Sequence, residues 1–213
     1  MAKRRRSKPD SISQIVSLIS LIFGIAALVL TCVGLGTPEW YIRYGSGYNI
    51  SSYRISSANF FYSCNYYIDN TLDRCVQRQE SMFYYPNFAQ IEWINAYQNV
   101  AEHAGALCIV GIIFLSFGIL FTVIMTVVHC PSPFYCFPPG VFFLACLFMA
   151  VGLAEGSFIL IYNGYSAILF QTGQVATILA LCLSTFAAGR NHFASCTDAG
   201  INTAPKKSAV SVT

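Results

Sequence analysis

The chain has 213 residues, of which 10% are charged and 55% are hydrophobic. A soluble domain of this size carries about a quarter charged residues, so the composition excludes a protein that is dissolved in water over most of its length. The formal net charge is +3. Most of the basic residues lie near the two ends of the chain, which argues against a nucleic-acid-binding protein.

The N-terminal segment, residues 1–13, is rich in lysine and arginine and precedes a long apolar stretch. Basic residues collect on the cytoplasmic side of membrane helices, so this segment is predicted to be cytoplasmic. An arginine-based trafficking signal or a patch for anionic lipids is the alternative reading. The apolar stretch is longer than the core of a signal peptide and lacks its cleavage pattern, so we expect it to remain as a helix.

Four apolar stretches have about the length of 20 residues that a helix needs to cross a bilayer. They are residues 14–35, 105–128, 140–160 and 168–188. Four crossings return the tail, residues 189–213, to the cytoplasm and place residues 36–104 outside. Residues 129–139 then form a cytoplasmic loop and residues 161–167 a short outer turn. The predicted localisation is the plasma membrane, as a multi-pass protein, with a cell junction as the candidate site.

Small residues recur along the predicted helices in steps of four and three, which places them on one stripe of a left-handed supercoil. Such stripes let helix backbones approach each other in a membrane. The pattern predicts a tightly packed, left-handed four-helix bundle without room for a pore. In the first and fourth helices the stripes consist of Ser13, Ser17, Ser20, Gly24, Ala27, Thr31 and Gly34, and of Gly173, Thr177, Ala180, Ser184 and Ala187.

The outer segment, residues 36–104, is too long to be a loop without structure. Aromatic and β-branched residues near Tyr41–Arg43, Tyr53–Ile55, Phe60–Tyr67 and Leu72–Gln77 predict strands, with a turn at Asp69-Asn70. Cys64 and Cys75 are close in sequence on the oxidising side, where they are expected to form a disulfide. The predicted fold class is therefore an all-α membrane bundle with a small, disulfide-tied antiparallel sheet in its first extracellular loop.

Several other residues are candidates for modification or for polar contacts. Asn49 begins a glycosylation sequon. Cys130, Cys136 and Cys196 follow the second and fourth helices and are candidates for palmitoylation, with free thiols as the alternative. Glu155 is an acid within the third span, where an ionisable group marks a functional site by default. A hydrogen bond from Glu155 to Gln171 or Gln174 is the favoured reading, and an ion or proton site is the alternative.

The chain resembles the claudin superfamily, which includes peripheral myelin proteins and calcium-channel gamma subunits. Trp40 stands where the family has a tryptophan after its first helix, and Phe61 stands where it has the tryptophan of a G-L-W motif. Cys64 and Cys75 match the cysteine pair that follows this motif. The resemblance, to a divergent invertebrate-type member, extends over the whole chain in topology. It implies the family's fold, whereas the short second outer turn departs from the family, because claudins use their second loop for partner contact.

Two functions remain open. The first is a role in cell–cell junctions, adhesion or a paracellular barrier, in which the outer sheet contacts like molecules in cis and in trans. Its expected contact residues are aromatic, with the alternative that half of them form the underside of the sheet: Tyr44, Tyr48, Tyr53, Phe60, Phe61, Tyr66 and Tyr67. The alternative is an auxiliary subunit that modulates a channel or receptor. Neither role predicts catalytic residues, a metal, a cofactor, a small-molecule substrate or nucleic acid. The bilayer is the one partner that both require.

Overall fold

The structure is a computed structural model. It describes residues 11–47, 50–67, 69–77, 91–127, 132–158, 160 and 162–203. In this part of the chain there are four long helices, a short 3-10 helix and one four-stranded sheet. The helices are α1 (Ser11–Gly36), α2 (Ile91–Val127), the 3-10 helix (Ser132–Cys136), α3 (Phe137–Ser157) and α4 (Tyr165–Thr203).

Four helical stretches are long and apolar enough to cross a membrane, and the third of them includes residues of the 3-10 helix that precedes α3. These stretches are Ser11–Gly36, Asn99–Val127, Phe134–Ser157 and Tyr165–Phe193. Four such helices indicate a multi-pass membrane protein. Two helices extend far beyond the predicted spans. α2 begins at Ile91, and α4 continues to Thr203. Hydropathy detects only the part of a helix that suits lipid, and a helix can continue past it.

The bundle is held together by close contact between helix backbones. α1 packs mainly on α4, and α2 packs mainly on α3. A Cβ added at Gly34 would lie 2.7 Å from the backbone nitrogen of Phe170, and one added at Gly152 would lie 2.9 Å from the carbonyl oxygen of Ala104. Only glycine permits such an approach, which is how helices associate in lipid. The predicted small-residue stripe of α1 is buried, apart from a half-buried Ser17.

Two serine side chains of α1 also join it to α4 by hydrogen bonds. The Ser20 hydroxyl donates to the carbonyl oxygen of Ala180 at 2.8 Å, and the Ser13 hydroxyl donates to that of Ala187 at 3.3 Å. Both hydroxyls are buried, so these bonds satisfy groups that would otherwise be costly to place in the interior. The small residues of α1 therefore provide both close packing and polar contacts.

The sheet lies beyond one end of the bundle, which we call the sheet end. Its four strands follow one another in order as an antiparallel meander. They are β1 (Tyr41–Gly47), β2 (Ile50–Ala58), β3 (Tyr62–Tyr66) and β4 (Leu72–Gln77). The turn between β3 and β4 contains Asn70 at a φ of 63°, a conformation that asparagine tolerates better than most residues. The small antiparallel sheet and the hairpin around Asp69-Asn70 are thus confirmed.

The strand predicted for residues 60–67 is shorter in the structure, because its first two residues leave the sheet. The Asn59 side-chain oxygen accepts hydrogen bonds from the backbone N–H groups of Phe61 and Tyr62, at 2.8 and 2.6 Å. This local side-chain turn competes with strand pairing. It delays the start of β3 to Tyr62 and turns Phe60 and Phe61 towards the helices.

The sheet and its attachment to the bundle as the candidate functional site

Trp40 links the end of α1, the sheet and α4. Its side chain is completely buried, and its indole N–H donates to the carbonyl oxygen of Gly34 at 2.7 Å. This carbonyl lies at the C-terminal end of α1, where helix carbonyls lack partners within the helix. The indole ring packs against Phe60, Tyr162 and Phe170, with centroids 4.7, 5.4 and 5.3 Å away. Trp40 is therefore the central residue of the attachment.

The short turn between α3 and α4 continues the sheet beyond β1. The Asn163 side chain accepts a hydrogen bond from the N–H of Ile42 and donates one to its carbonyl oxygen, at 2.8 and 2.9 Å. The backbone N–H of Gly164 donates to the carbonyl oxygen of Trp40 at 3.0 Å, and the backbone N–H of Ser166 donates to the backbone carbonyl oxygen of Glu39 at 3.2 Å. Part of the β1 edge is covered in this way. We call these contacts the turn clamp.

Phe60 and Phe61 occupy places on α2 and α3 that glycines leave open. A Cβ added at Gly105 would lie 2.8 Å from the Phe61 ring, and one added at Gly156 would lie 2.6 Å from the Phe60 ring. Phe60 is 1% exposed. It therefore anchors the sheet, and its predicted role as a contact residue for a partner is wrong. The reason is that the Asn59 turn directs this side chain into the protein.

An ion pair connects β2 to the segment that follows α1. A guanidinium nitrogen of Arg54 lies 2.5 Å from a carboxylate oxygen of Glu39. The central carbon of the same guanidinium lies 4.3 Å from the centroid of the Tyr66 ring, over which it stacks. The backbone N–H of Arg54 donates to the side-chain oxygen of Asn70 at 2.9 Å. Both charged side chains are more than four-fifths buried, so the pair is less screened by solvent than a surface pair. No sequence pattern indicated that these residues meet.

Cys64 and Cys75 form a disulfide between directly opposite positions of β3 and β4. This confirms the predicted bridge. In the adjoining turn, the Thr71 hydroxyl and backbone N–H donate to the Asp69 carboxylate at 2.6 and 3.0 Å. These hydrogen bonds stabilise the ionised carboxylate and hold the pKa of Asp69 below its usual value. The hairpin is thus fixed at its middle and at its turn.

Replacing Cys64 with serine is expected to destabilise the sheet by roughly 2–3 kcal/mol, because the bridge closes a short loop of the unfolded chain. Thermal unfolding of the purified protein in detergent measures this change. Cys136→Ser is the matched control, since Cys136 is an exposed free thiol. Equal unfolding temperatures for the two variants would contradict the structural role of the bridge.

Several large side chains of the sheet are exposed to solvent. Tyr44, Tyr62, Tyr67 and Leu72 are between 43% and 61% exposed. Nearly all of β4 is exposed as well. Of the predicted contact residues, Tyr44 and Tyr67 are exposed, whereas Tyr53, Tyr66 and Phe61 are half-buried. Tyr48 lies outside the described residues. Tyr62 and Leu72 were not predicted, although strand alternation could have indicated them.

The remaining candidate residues are not brought together with the sheet. Glu155 is half-buried in α3, and none of the hydrogen bonds or ion pairs among described residues joins it to Gln171 or Gln174. Gln174 is half-buried and Gln171 exposed, so the polar contact between α3 and α4 stays a prediction. Cys136 is an exposed free thiol. Asn49, Cys130 and the Cys196 side chain lie outside the described part of the chain.

Within the described residues, no three His, Cys, Asp or Glu side chains lie close enough together to hold a metal ion. Comparison with known proteins adds no assignment: no protein-family model matches the chain, and no curated protein matches it in sequence. The functional argument therefore rests on the geometry of the anchored sheet.

Proposed function

We propose that the chain is a claudin-like plasma-membrane protein that acts at cell–cell contacts, in adhesion or in a paracellular barrier, through its outer sheet. The observation that carries this proposal is the combination of a firmly attached sheet with aromatic side chains that are exposed to solvent. A bilayer-spanning, left-handed bundle would hold the sheet, with both termini in the cytoplasm. Like molecules in the same and the opposing membrane are the proposed partners.

The attachment favours recognition because a binding surface is most effective when its support is rigid. Trp40, the turn clamp and the Arg54–Glu39 pair join the sheet to the C-terminal end of α1 and to the N-terminal end of α4. The exposed tyrosines, Tyr44, Tyr62 and Tyr67, offer large aromatic side chains of the kind that is enriched where proteins contact each other. The exposed strand β4 adds backbone groups that can pair with another strand. Together these features suit a surface that meets another protein.

The placement of charges and cysteines supports the proposed orientation. The basic residues that precede α1 favour a cytoplasmic N-terminus, and α1 then crosses to the opposite side. A disulfide persists on the oxidising side of a membrane, and the Cys64–Cys75 bridge lies in the sheet that follows α1. Two independent features of the chain therefore favour the same, extracellular, position for the sheet.

Expression of the protein in cells without junctions tests the proposal. We expect it to concentrate where two expressing cells touch, and not where an expressing cell touches a cell without the protein. Fluorescence imaging of mixed populations measures this ratio. Uniform surface staining together with co-purification of a channel would contradict the adhesion role and favour the auxiliary subunit.

One observation favours the alternative function, that of an auxiliary subunit of a channel. Glu155 lies within a candidate membrane span and is half-buried, and the hydrogen bonds and ion pairs recorded for the described residues do not include its carboxylate. An acid on a membrane helix is costly unless it meets a polar or basic partner, which a channel subunit could supply. If so, Glu155→Gln should weaken co-purification with that channel and leave enrichment at cell contacts unchanged.

A further inference from the structure

A partly open cavity with several polar side chains in its lining lies in the bundle at the end opposite the sheet. Its volume is about 40 Å³, and all four helices contribute to its walls. The lining includes hydroxyl groups from three of the helices and the phenol that precedes α3, namely Ser13, Ser17, Thr122, Thr126, Tyr135 and Ser184. Nearer the sheet, glycines let the helices pack directly against one another. The two ends of the bundle therefore differ in character.

Four of the hydroxyl groups that line this cavity donate their protons to backbone carbonyl oxygens. Thr122 and Thr126 donate to carbonyl oxygens one turn earlier in α2, at 2.8 and 2.7 Å. Ser184 donates within α4 at 2.9 Å, and Ser13 donates across to α4 at 3.3 Å. A hydroxyl oxygen keeps lone pairs after it has donated its proton. These oxygens are hydrogen-bond acceptors, and the side-chain amides of Gln14 and Asn191 in the same lining carry donors as well as acceptors. The cavity therefore suits a ligand that both donates and accepts hydrogen bonds.

Charge and size restrict the ligand further. None of the described residues that line the cavity is acidic or basic, so a fully charged ligand would lack a counter-charge and would lose its hydration. A polar cavity needs roughly 10–15 Å³ for each water molecule, and a volume of about 40 Å³ accordingly suits about three. Such waters typically make about three hydrogen bonds each. A water can donate its protons to the hydroxyl oxygens of the lining and accept a hydrogen bond from a side-chain amide or from another water.

We propose that this cavity is a water-binding site that joins the four helices at the end opposite the sheet. Ser17 lies six residues after the first residue of α1, so at about 1.5 Å per residue the water would reach roughly 9 Å into the bundle. At this end of the bundle, the bound water takes the place of the direct contacts between helix backbones that hold the helices together nearer the sheet. This inference is independent of the proposed role at cell contacts.

Cysteine labelling in native membranes tests the proposal. Ser17→Cys places a thiol in the cavity, whereas Leu18→Cys places one at the same depth on a side chain that is 52% exposed on the outside of α1. Only a thiolate reacts with a methanethiosulfonate, and apolar surroundings suppress it. With a small uncharged methanethiosulfonate applied to opened membranes, we expect Ser17→Cys to react faster by at least about tenfold. Peptide mapping separates these sites from the native cysteines.

A second pair of variants covers the case in which Ser17→Cys disturbs packing. Thr126→Cys reports from α2, with Val123→Cys as its outward-facing control. We expect Thr126→Cys to react faster than Val123→Cys, and Ser17→Met, which fills the cavity, to abolish this difference. Equal rates within both pairs would show that the cavity is dry and would overturn the proposal. So would rapid labelling of Thr126→Cys that Ser17→Met leaves unchanged.

Discussion

Replacing Gly164 with alanine is expected to detach the sheet from the bundle. A Cβ at this position would overlap the carbonyl oxygen of Glu39 and lie 3.1 Å from that of Trp40. The clash involves backbone atoms that a side-chain rotation cannot relieve. Overpacking of this kind costs typically 1–3 kcal/mol, and occasionally more. The turn clamp would open, and delivery of the protein to the cell surface should fall sharply.

Gly36→Ala is the matched control for this substitution. Gly36 lies at the C-terminal end of α1, also close to the sheet, but an added Cβ there would meet nothing within 4 Å. Surface delivery and thermal unfolding should therefore be close to those of the unmodified protein. If Gly164→Ala behaves like Gly36→Ala, the turn between α3 and α4 does not hold the sheet in place.

Replacing Trp40 with alanine is expected to cost about 3–5 kcal/mol, the usual range for removal of a large buried aromatic side chain. The ring contacts with Phe60, Tyr162 and Phe170 would all be lost. Since a protein of this size has only about 5–15 kcal/mol of stability, much of the variant should fail to fold. Protease resistance of the sheet in intact cells measures the loss.

Trp40→Phe separates packing from hydrogen bonding at the same position. It keeps an aromatic ring but removes the indole N–H, so the Gly34 carbonyl loses its side-chain donor. A hydrogen bond of this kind contributes on the order of 1 kcal/mol. We expect an unfolding temperature between those of the unmodified protein and Trp40→Ala. Equal destabilisation by both substitutions would mean that the ring contacts contribute little.

The helices and strands could be predicted because each depends on a local pattern. Apolar stretches of the required length indicated the four membrane helices, and the small residues of α1 indicated which of its sides is buried. The strand β4 begins and ends at the predicted residues. The disulfide followed from two cysteines at a short separation in a segment expected outside the cell. These features involve residues near one another in sequence.

The attachment of the sheet could not be predicted because it joins distant parts of the chain. Asn163 binds Ile42, and Gly164 binds Trp40, across more than a hundred residues. The Asn163-Gly164 pair indicated a turn but not what the turn would contact. Arg54 and Glu39 carry no motif that relates them. Phe60 fits an aromatic strand pattern, and only the hydrogen bonds of Asn59 direct it towards the helices.

The most direct test of the account is whether the exposed aromatic side chains of the anchored sheet are needed at cell contacts. Tyr44, Tyr62 and Tyr67 can be replaced together with serine, since all three are more than 40% exposed and their replacement should leave folding intact. At equal surface levels, we predict enrichment of the unmodified protein between two expressing cells and uniform staining of the triple variant. Undiminished enrichment of the triple variant would contradict the proposed role of the sheet.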